Sequence, residues 1–376
     1  DYSMSVVMRS LLFVPVAAFH FGASHDFLLF NINYLSSPSA DIPVCFLLWI
    51  VFVLVIELRE VAADKHSANI ALICMLSALL FSIKPSAAPV LLLCVFFFGG
   101  YVLQKKFEQA GIIAMLSSLI VVPWIVRNII ISGYLFFPFS SLDMIQVDWK
   151  LPIQHVKWFE NAVKVYAINP EYDLNKPFTL SVQQWFGIWF NRLSFIQSLL
   201  FLSGIASIVL FGLLFVAGVM RKGKRFVSEQ RYIILCVATA VAGSLFWFLK
   251  GPDFRLGYGF TVIITVLSLA MMFRYFLADD IKYAGIIFTI GFFYLMIFHY
   301  KGPWKDFATR IKQPLPERKQ PAAIKAMPLG NGMQMQLVNY GDSWYGPLPI
   351  ANETEYYTLM PVPRGSSVKH GFKASK

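Results

Sequence analysis

Charge is what this chain has least of. Asp, Glu, Lys and Arg make up 14% of its 376 residues against 57% hydrophobic, where soluble domains carry about 25% charged residues. That imbalance excludes an ordinary water-soluble globule. Cysteine is scarce as well: Cys45, Cys74, Cys94 and Cys236 all lie in apolar runs with no CxxC spacing. They read as small buried hydrophobes rather than metal or redox groups. The histidines His20, His25, His155 and His299 show no ligand spacing. There is no P-loop, dinucleotide fingerprint or nucleophile elbow, and the expected cofactor list is empty. The net charge of +11 raises the question of nucleic acid. The basic residues, however, concentrate in short loops between apolar runs, the pattern of membrane orientation, and no nucleic-acid partner is expected.

What the chain does have is apolar runs of the roughly 17–25 residues that cross a bilayer as a helix. The expected fold is an all-α integral membrane protein of about nine transmembrane helices. The spans read as 4–22, 42–58, 68–83, 86–103, 110–131, 195–220, 231–249, 256–273 and 283–299. Asp41 is placed to cap the second span, with Pro43 in its first turn. The loops after spans two, four, six and eight carry Arg59 and Lys65, then Lys105 and Lys106, then five basic residues from Arg221 to Arg231, then Arg274 and Lys282. By the positive-inside rule these belong on the cytoplasmic side. The long loop and the C-terminus are then extracytoplasmic. The reading divides the chain into an N-terminal membrane part (1–131), an extracytoplasmic loop (132–194), a C-terminal membrane part (195–299) and a small tail (300–376). No internal repeat supports an inverted-repeat transporter. The chain opens on Asp1 without a signal-peptide pattern, so further sequence is expected upstream.

The long loop predicts two helices on or in the outer interface. In HVKWFENAVKVYAI, Val156, Phe159, Val163 and Tyr166 recur at helical spacing. Ser181 followed by Gln184 reads as a capping box, and the helix it starts puts Trp185, Phe186, Trp189 and Phe190 where an aromatic belt would lie. The tail begins with a Pro- and Lys-rich stretch and continues with strand-like alternation in GMQMQLV and ETEYYTLM. A small α+β or β-rich extracytoplasmic domain is expected.

Ionisable residues near the outer surface are the candidates for chemistry, because a charge held against lipid is costly. Arg127 and Asn128 close span five. Arg127 presents a fork suited to phosphate oxygens, or it is a snorkelling helix end. KGPDFR places Lys250, Asp253 and Arg255 in one tight turn. These are cations for a phosphate and a carboxylate for an acceptor, or a solvated turn with a local Asp–Arg pair. Lys84 adds charge to the same face or anchors at the interface. Asp41 and Asp26 are the carboxylates of the first outer loop, candidate catalytic bases if an acceptor hydroxyl comes within reach, and otherwise a cap and a surface residue. Asp143 and Asp148 leave a divalent metal as an open alternative.

These residues carry a resemblance. SSPSADIP opening a span, a helical hairpin turning at KPSA, and PWIVRNIIISGYLFFPF leading into a long outer loop resemble the GT-C superfamily of polytopic glycosyltransferases. PWIVRN, SGYLFFP, DWKLP, PDFRLGYG, GDSWYGPLP and RGSSVKHGF are similar to a largely uncharacterised bacterial multi-spanning membrane family related to GT-C enzymes by architecture. The GT-C resemblance implies transfer of a sugar from a polyprenyl-phosphate carrier. A carboxylate of the first outer loop would be the base, and basic residues of later outer loops would hold the phosphate. Arg127, Lys250 and Arg255 match basic outer-loop positions, and Asp41 resembles the acidic residue at an early span. The usual first-loop catalytic Asp has no match here and is expected before Asp1.

The expected partners are a polyprenyl-phosphate-linked sugar, membrane lipids, and a glycan, lipid or protein acceptor. The expected location is the bacterial inner membrane. The alternative is a transporter, flippase or non-catalytic assembly component for envelope glycans, or a glycan polymerase or ligase.

Overall fold

The computed structural model describes residues 40–59, 62, 65–169 and 178–276, and, in the tail, 325–330, 333–338, 350–352, 362–364 and 372–373. Ten helices occupy the first part: α1 (Asp41–Glu57), α2 (His66–Ile83), α3 (Leu91–Leu103), α4 (Phe107–Ser132), α5 (Ile153–Ile168), α6 (Val182–Arg192), α7 (Phe195–Lys222), α8 (Lys224–Glu229), α9 (Arg231–Lys250) and α10 (Phe254–Phe276). A 3₁₀ segment, Pro85–Val90, joins α2 to α3. Among the described residues six stretches are long and apolar enough to cross a membrane: His66–Ile83, Pro85–Leu103, Phe107–Ser132, Gln197–Lys222, Arg231–Lys250 and Phe254–Met272. The chain is a membrane protein on that ground. Of the nine expected spans, the first and ninth lie outside the described residues. The second is α1, a shorter apolar helix of 17 residues.

The chain forms two compact units. The larger comprises 1–122, 163–173 and 178–310, the smaller 123–162, 174–177 and 311–376. Helices α4 and α5 each run from one into the other.

In the larger unit α10 is the central helix, packed on α7, α9 and α1, while α2 packs on α1 and α3. Its core joins Phe52 and Val55 of α1, Ile73 and Cys74 of α2, Leu93 of α3, Cys236 and Ala240 of α9, and Ile263 and Leu267 of α10. Cys45, Cys74 and Cys236 are buried small side chains. Close approach is made possible by glycine. A Cβ at Gly257 would lie 2.2 Å from the Trp247 ring, and one at Gly259 would lie 2.9 Å from Leu48. The backbone of α10 is thereby close enough for the Trp49 indole N–H to donate to the Gly259 carbonyl at 3.0 Å. Ser268 donates to the Ser207 carbonyl of α7 at 2.8 Å, giving an apolar interior one of its few polar ties.

Helix ends follow local chemistry. Ser194 and Gln197 form a reciprocal capping box that starts α7, and Gly223, at φ 56°, ends it. The expected box at Ser181 is present too: the Gln184 side chain accepts from the Ser181 backbone N–H at 2.9 Å. The aromatic residues of α6 behave differently from the expected belt. Trp185 and Trp189 are buried, and with Trp247 and Phe254 they build a second core flanked by Phe186, Phe190, Phe201 and Phe248. In α5 Val156, Val165 and Ile168 are buried, and Val163 and Tyr166 of the expected apolar stripe are exposed, as on a helix that turns a greasy side outward.

In the smaller unit the end of α4 turns sharply. Gly133 adopts φ 79° with the Lys150 backbone against it. The Tyr134 hydroxyl donates to the Leu151 carbonyl at 3.1 Å and the Trp149 indole to Ile129 at 3.1 Å. The tail contributes β1 (Lys325–Gly330), β2 (Met333–Val338) and β3 (Ile350–Asn352), in that order, with β1–β2 antiparallel and β2–β3 parallel, and a β4–β5 pair (Val362–Pro363, Phe372–Lys373). The alternation expected in GMQMQLV is realised in β2, where Met335 and Leu337 are buried. ETEYYTLM lies outside the described residues.

Candidate functional site

Three charged residues of the larger unit meet at one place. Asp41 is the first residue of α1, Lys84 sits between α2 and the 3₁₀ segment, and Arg255 is the second residue of α10. All three line one narrow cleft with Cys45, Ser86 and Gly259, with room for about one water. Helix ends in a membrane protein lie near the bilayer surface, so the cleft sits at that depth.

Each charge is positioned by local structure. Lys84 precedes Pro85, whose ring pushes the preceding residue into an extended conformation. Its φ of −147° and ψ of 113° end α2 and turn the side chain toward α1. The Lys84 ammonium and the Asp41 carboxylate form an ion pair, with side chains 21% and 5% exposed. The N-cap position of α1 is Ala40, and Asp41 lies in the first turn. A carboxylate in that turn also faces the helix N-terminus, where negative charge is favoured. Burial pushes the Lys84 ammonium down to about 8, with Arg255 pushing the same way and Asp253 opposing.

Arg255 is held by its own turn. Asp253 accepts from the Arg255 backbone N–H at 3.0 Å and from its Nε at 2.9 Å. This is the local Asp–Arg pair among the readings of KGPDFR. The turn itself is pinned by two indoles: Trp247 donates to the Asp253 carbonyl at 2.6 Å and Trp189 to the Pro252 carbonyl at 2.8 Å. Neither tryptophan is marked as a site residue by the sequence. The signal that could have found them is the glycine in PDFRLGYG, since Gly257 is where the Trp247 ring packs.

The other candidates fall elsewhere. Lys250 is exposed at the end of α9 and does not line the cleft. Arg127 and Asn128 belong to the smaller unit, where Arg127 is exposed. The Asn128 side chain donates to the Leu135 carbonyl at 3.3 Å, and its backbone carbonyl accepts from Ser132 at 2.7 Å. That closes the turn after α4. Asp26 lies outside the described residues. Asp143 pairs with Lys150, and Asp148 with Arg364, so both carboxylates of the metal alternative face cations. Among the described residues no group of three or more His, Cys, Asp or Glu is arranged to hold a metal.

What the cleft offers chemically is a carboxylate at the N-terminus of α1 and two cations, Lys84 after α2 and Arg255 at the N-terminus of α10, and helix N-termini favour an anion. Residues 10–262, about two thirds of the chain, match a family model described as Domain of unknown function (DUF8201). No curated protein and no solved structure matches the chain.

Proposed function

We propose that this chain, which belongs to the DUF8201 family, is a glycosyltransferase of the bacterial inner membrane that moves a sugar from a polyprenyl-phosphate carrier to an envelope acceptor. The observation that carries the reading is the convergence of Asp41, Lys84 and Arg255 on one cleft at the helix ends. In the resting state Asp41 and Lys84 neutralise each other. A donor phosphate at the cleft mouth competes for Lys84 and Arg255, and Asp41 loses its cation. The acceptor oxygen then attacks the anomeric carbon and the carbon–oxygen bond to phosphate breaks. Its electron pair leaves on the phosphate, held by the two cations, and the acceptor proton passes to Asp41. In this reading the cleft faces the extracytoplasmic side, as the basic loops require.

A second reading, a lipid-handling or assembly component without chemistry, is favoured by the same ion pair, since Asp41 and Lys84 satisfy each other without a substrate. The experiment uses the full chain in nanodiscs with polyprenyl-phosphate sugars, scored for released polyprenyl phosphate. Transfer that falls at least about a hundredfold in Asp41→Asn supports the first reading. Donor binding without release, unchanged by Asp41→Asn, supports the second.

A further inference from the structure

A second concavity lies between α7, α9 and α10, entirely within the larger unit. Its cavity volume is about 180 Å³, room for part of a chain rather than for a whole ligand. Its walls are apolar. Phe201 and Ile205 come from α7, Leu245 and Phe248 from α9, and Ile264 from α10. Its mouth is framed by Ile205, Ile208 and Leu245, which are exposed. In a spanning helix such side chains face lipid, so the crevice opens sideways into the bilayer.

Its depth ties it to the charged cleft. Ser244 lies six residues before the end of α9 and Thr261 seven after the start of α10. At 1.5 Å per residue this is about 9–11 Å from the helix ends, the upper third of a hydrocarbon core about 30 Å thick. Trp247 links the two places. One part of its ring lines the crevice, and its N–H donates to the Asp253 carbonyl in the turn that holds Arg255.

We propose that this crevice holds the isoprenoid chain of a polyprenyl phosphate whose headgroup lies over Lys84 and Arg255. This rests on the lipid-carrier part of the reading above and names where the carrier is gripped. A straight acyl chain gains little over bulk lipid in such a place, because hydrocarbon already solvates it. A methyl-branched chain gains by fitting its methyls between the ring faces of Phe201 and Phe248, stacked 6.1 Å apart, and the branched side chains of Ile205 and Ile264. The phosphate supplies the charge that the two cations match.

The test is photo-crosslinking of the full chain in nanodiscs, with peptides mapped by mass spectrometry. Three diazirine probes are used: a polyprenyl phosphate and the matching polyprenol, each labelled in the chain, and a phosphatidylglycerol labelled in an acyl tail. The polyprenyl phosphate is expected to label 201–208 and 241–248, and unlabelled polyprenyl phosphate should compete. Ile205→Trp at the mouth should lower that labelling about tenfold. Ser244→Leu should do the same; its hydroxyl has no hydrogen-bond partner, so the change removes no bond. Thermal unfolding shows that both variants fold. Arg255→Gln should weaken labelling by the phosphate probe and leave the polyprenol unchanged. Equal labelling by phosphatidylglycerol, or label spread evenly over Leu213 and Val216, overturns the proposal. Crevice labelling without sugar transfer sinks the transferase reading alone, and transfer with label elsewhere sinks the chain site alone.

Discussion

Replacing Asp41 by Asn keeps the shape of the side chain and removes the charge facing Lys84. The carboxylate is 5% exposed and its partner 21%. Breaking a buried pair by deleting one member costs about 3–5 kcal/mol, because the survivor is left uncompensated. The residual exposure of Lys84 lets water reach it, so the lower end applies, about 3 kcal/mol. A ceiling follows from titration. An ammonium already depressed to about 8 escapes by losing its proton, at about 1.4 kcal/mol per pH unit, so the cost shrinks above pH 8. Lys84→Met leaves the more buried carboxylate alone and should cost more, about 3–5 kcal/mol. The double variant buries neither charge, and the cycle should show a coupling of about 1–3 kcal/mol. Equilibrium unfolding in mixed micelles, followed by the fluorescence of the nine tryptophans, measures all three. Single effects that add to within about 0.5 kcal/mol in the double variant would refute the buried pair.

Lys84 also sets a pH dependence. The unfolded chain keeps this proton up to about its ordinary 10.5, while the folded chain releases it near 8. Between those values the unfolded state binds more protons, so stability should rise with pH across this window, with the full cost of the charge present below 8. A pH series of the wild type against Lys84→Met checks this, and a wild-type curve that falls across the window contradicts it. The same titration should weaken phosphate binding as pH passes 8, an effect absent from Lys84→Arg. Gly257→Ala would set a methyl 2.2 Å from the Trp247 ring and should cost about 1–3 kcal/mol by overpacking; an unshifted unfolding midpoint counts against the close approach. Trp189→Phe keeps a ring to stack on Phe254, 6.1 Å away, but loses the bond to the Pro252 carbonyl. It should cost about 1 kcal/mol and loosen the Arg255 turn, read as faster amide exchange at 253–256.

The spans were legible because hydropathy marks them and proline and Ser–Gln pairs punctuate them. Lys84-Pro85 ends a helix and Ser181/Gln184 begins one where the sequence indicates. What hydropathy does not encode is which way an apolar side chain faces, since lipid and protein interior select the same residues. Hence Trp185 and Trp189 read as an interfacial belt and are core. Polar side chains are legible only as far as their partners are local. Asp253 and Arg255 are two residues apart and their pairing was among the readings. The pairing of Asp41 with Lys84 is not legible, because the ammonium lies at the end of the next helix. The bond of Asn128 is not legible either, because the carbonyl it meets follows a turn no periodicity reports.

The cleft therefore depends on helix contacts rather than on a motif. Its cations and carboxylate meet only because α10 lies close against α1 and α9, and that closeness is written in Gly257 and Gly259. In a membrane core small residues mark where backbones approach. Read together with a charged turn one helical turn away, those glycines are the part of the sequence that predicts where sparse charges converge. Substituting either should disperse Arg255 from Lys84 before it unfolds the bundle.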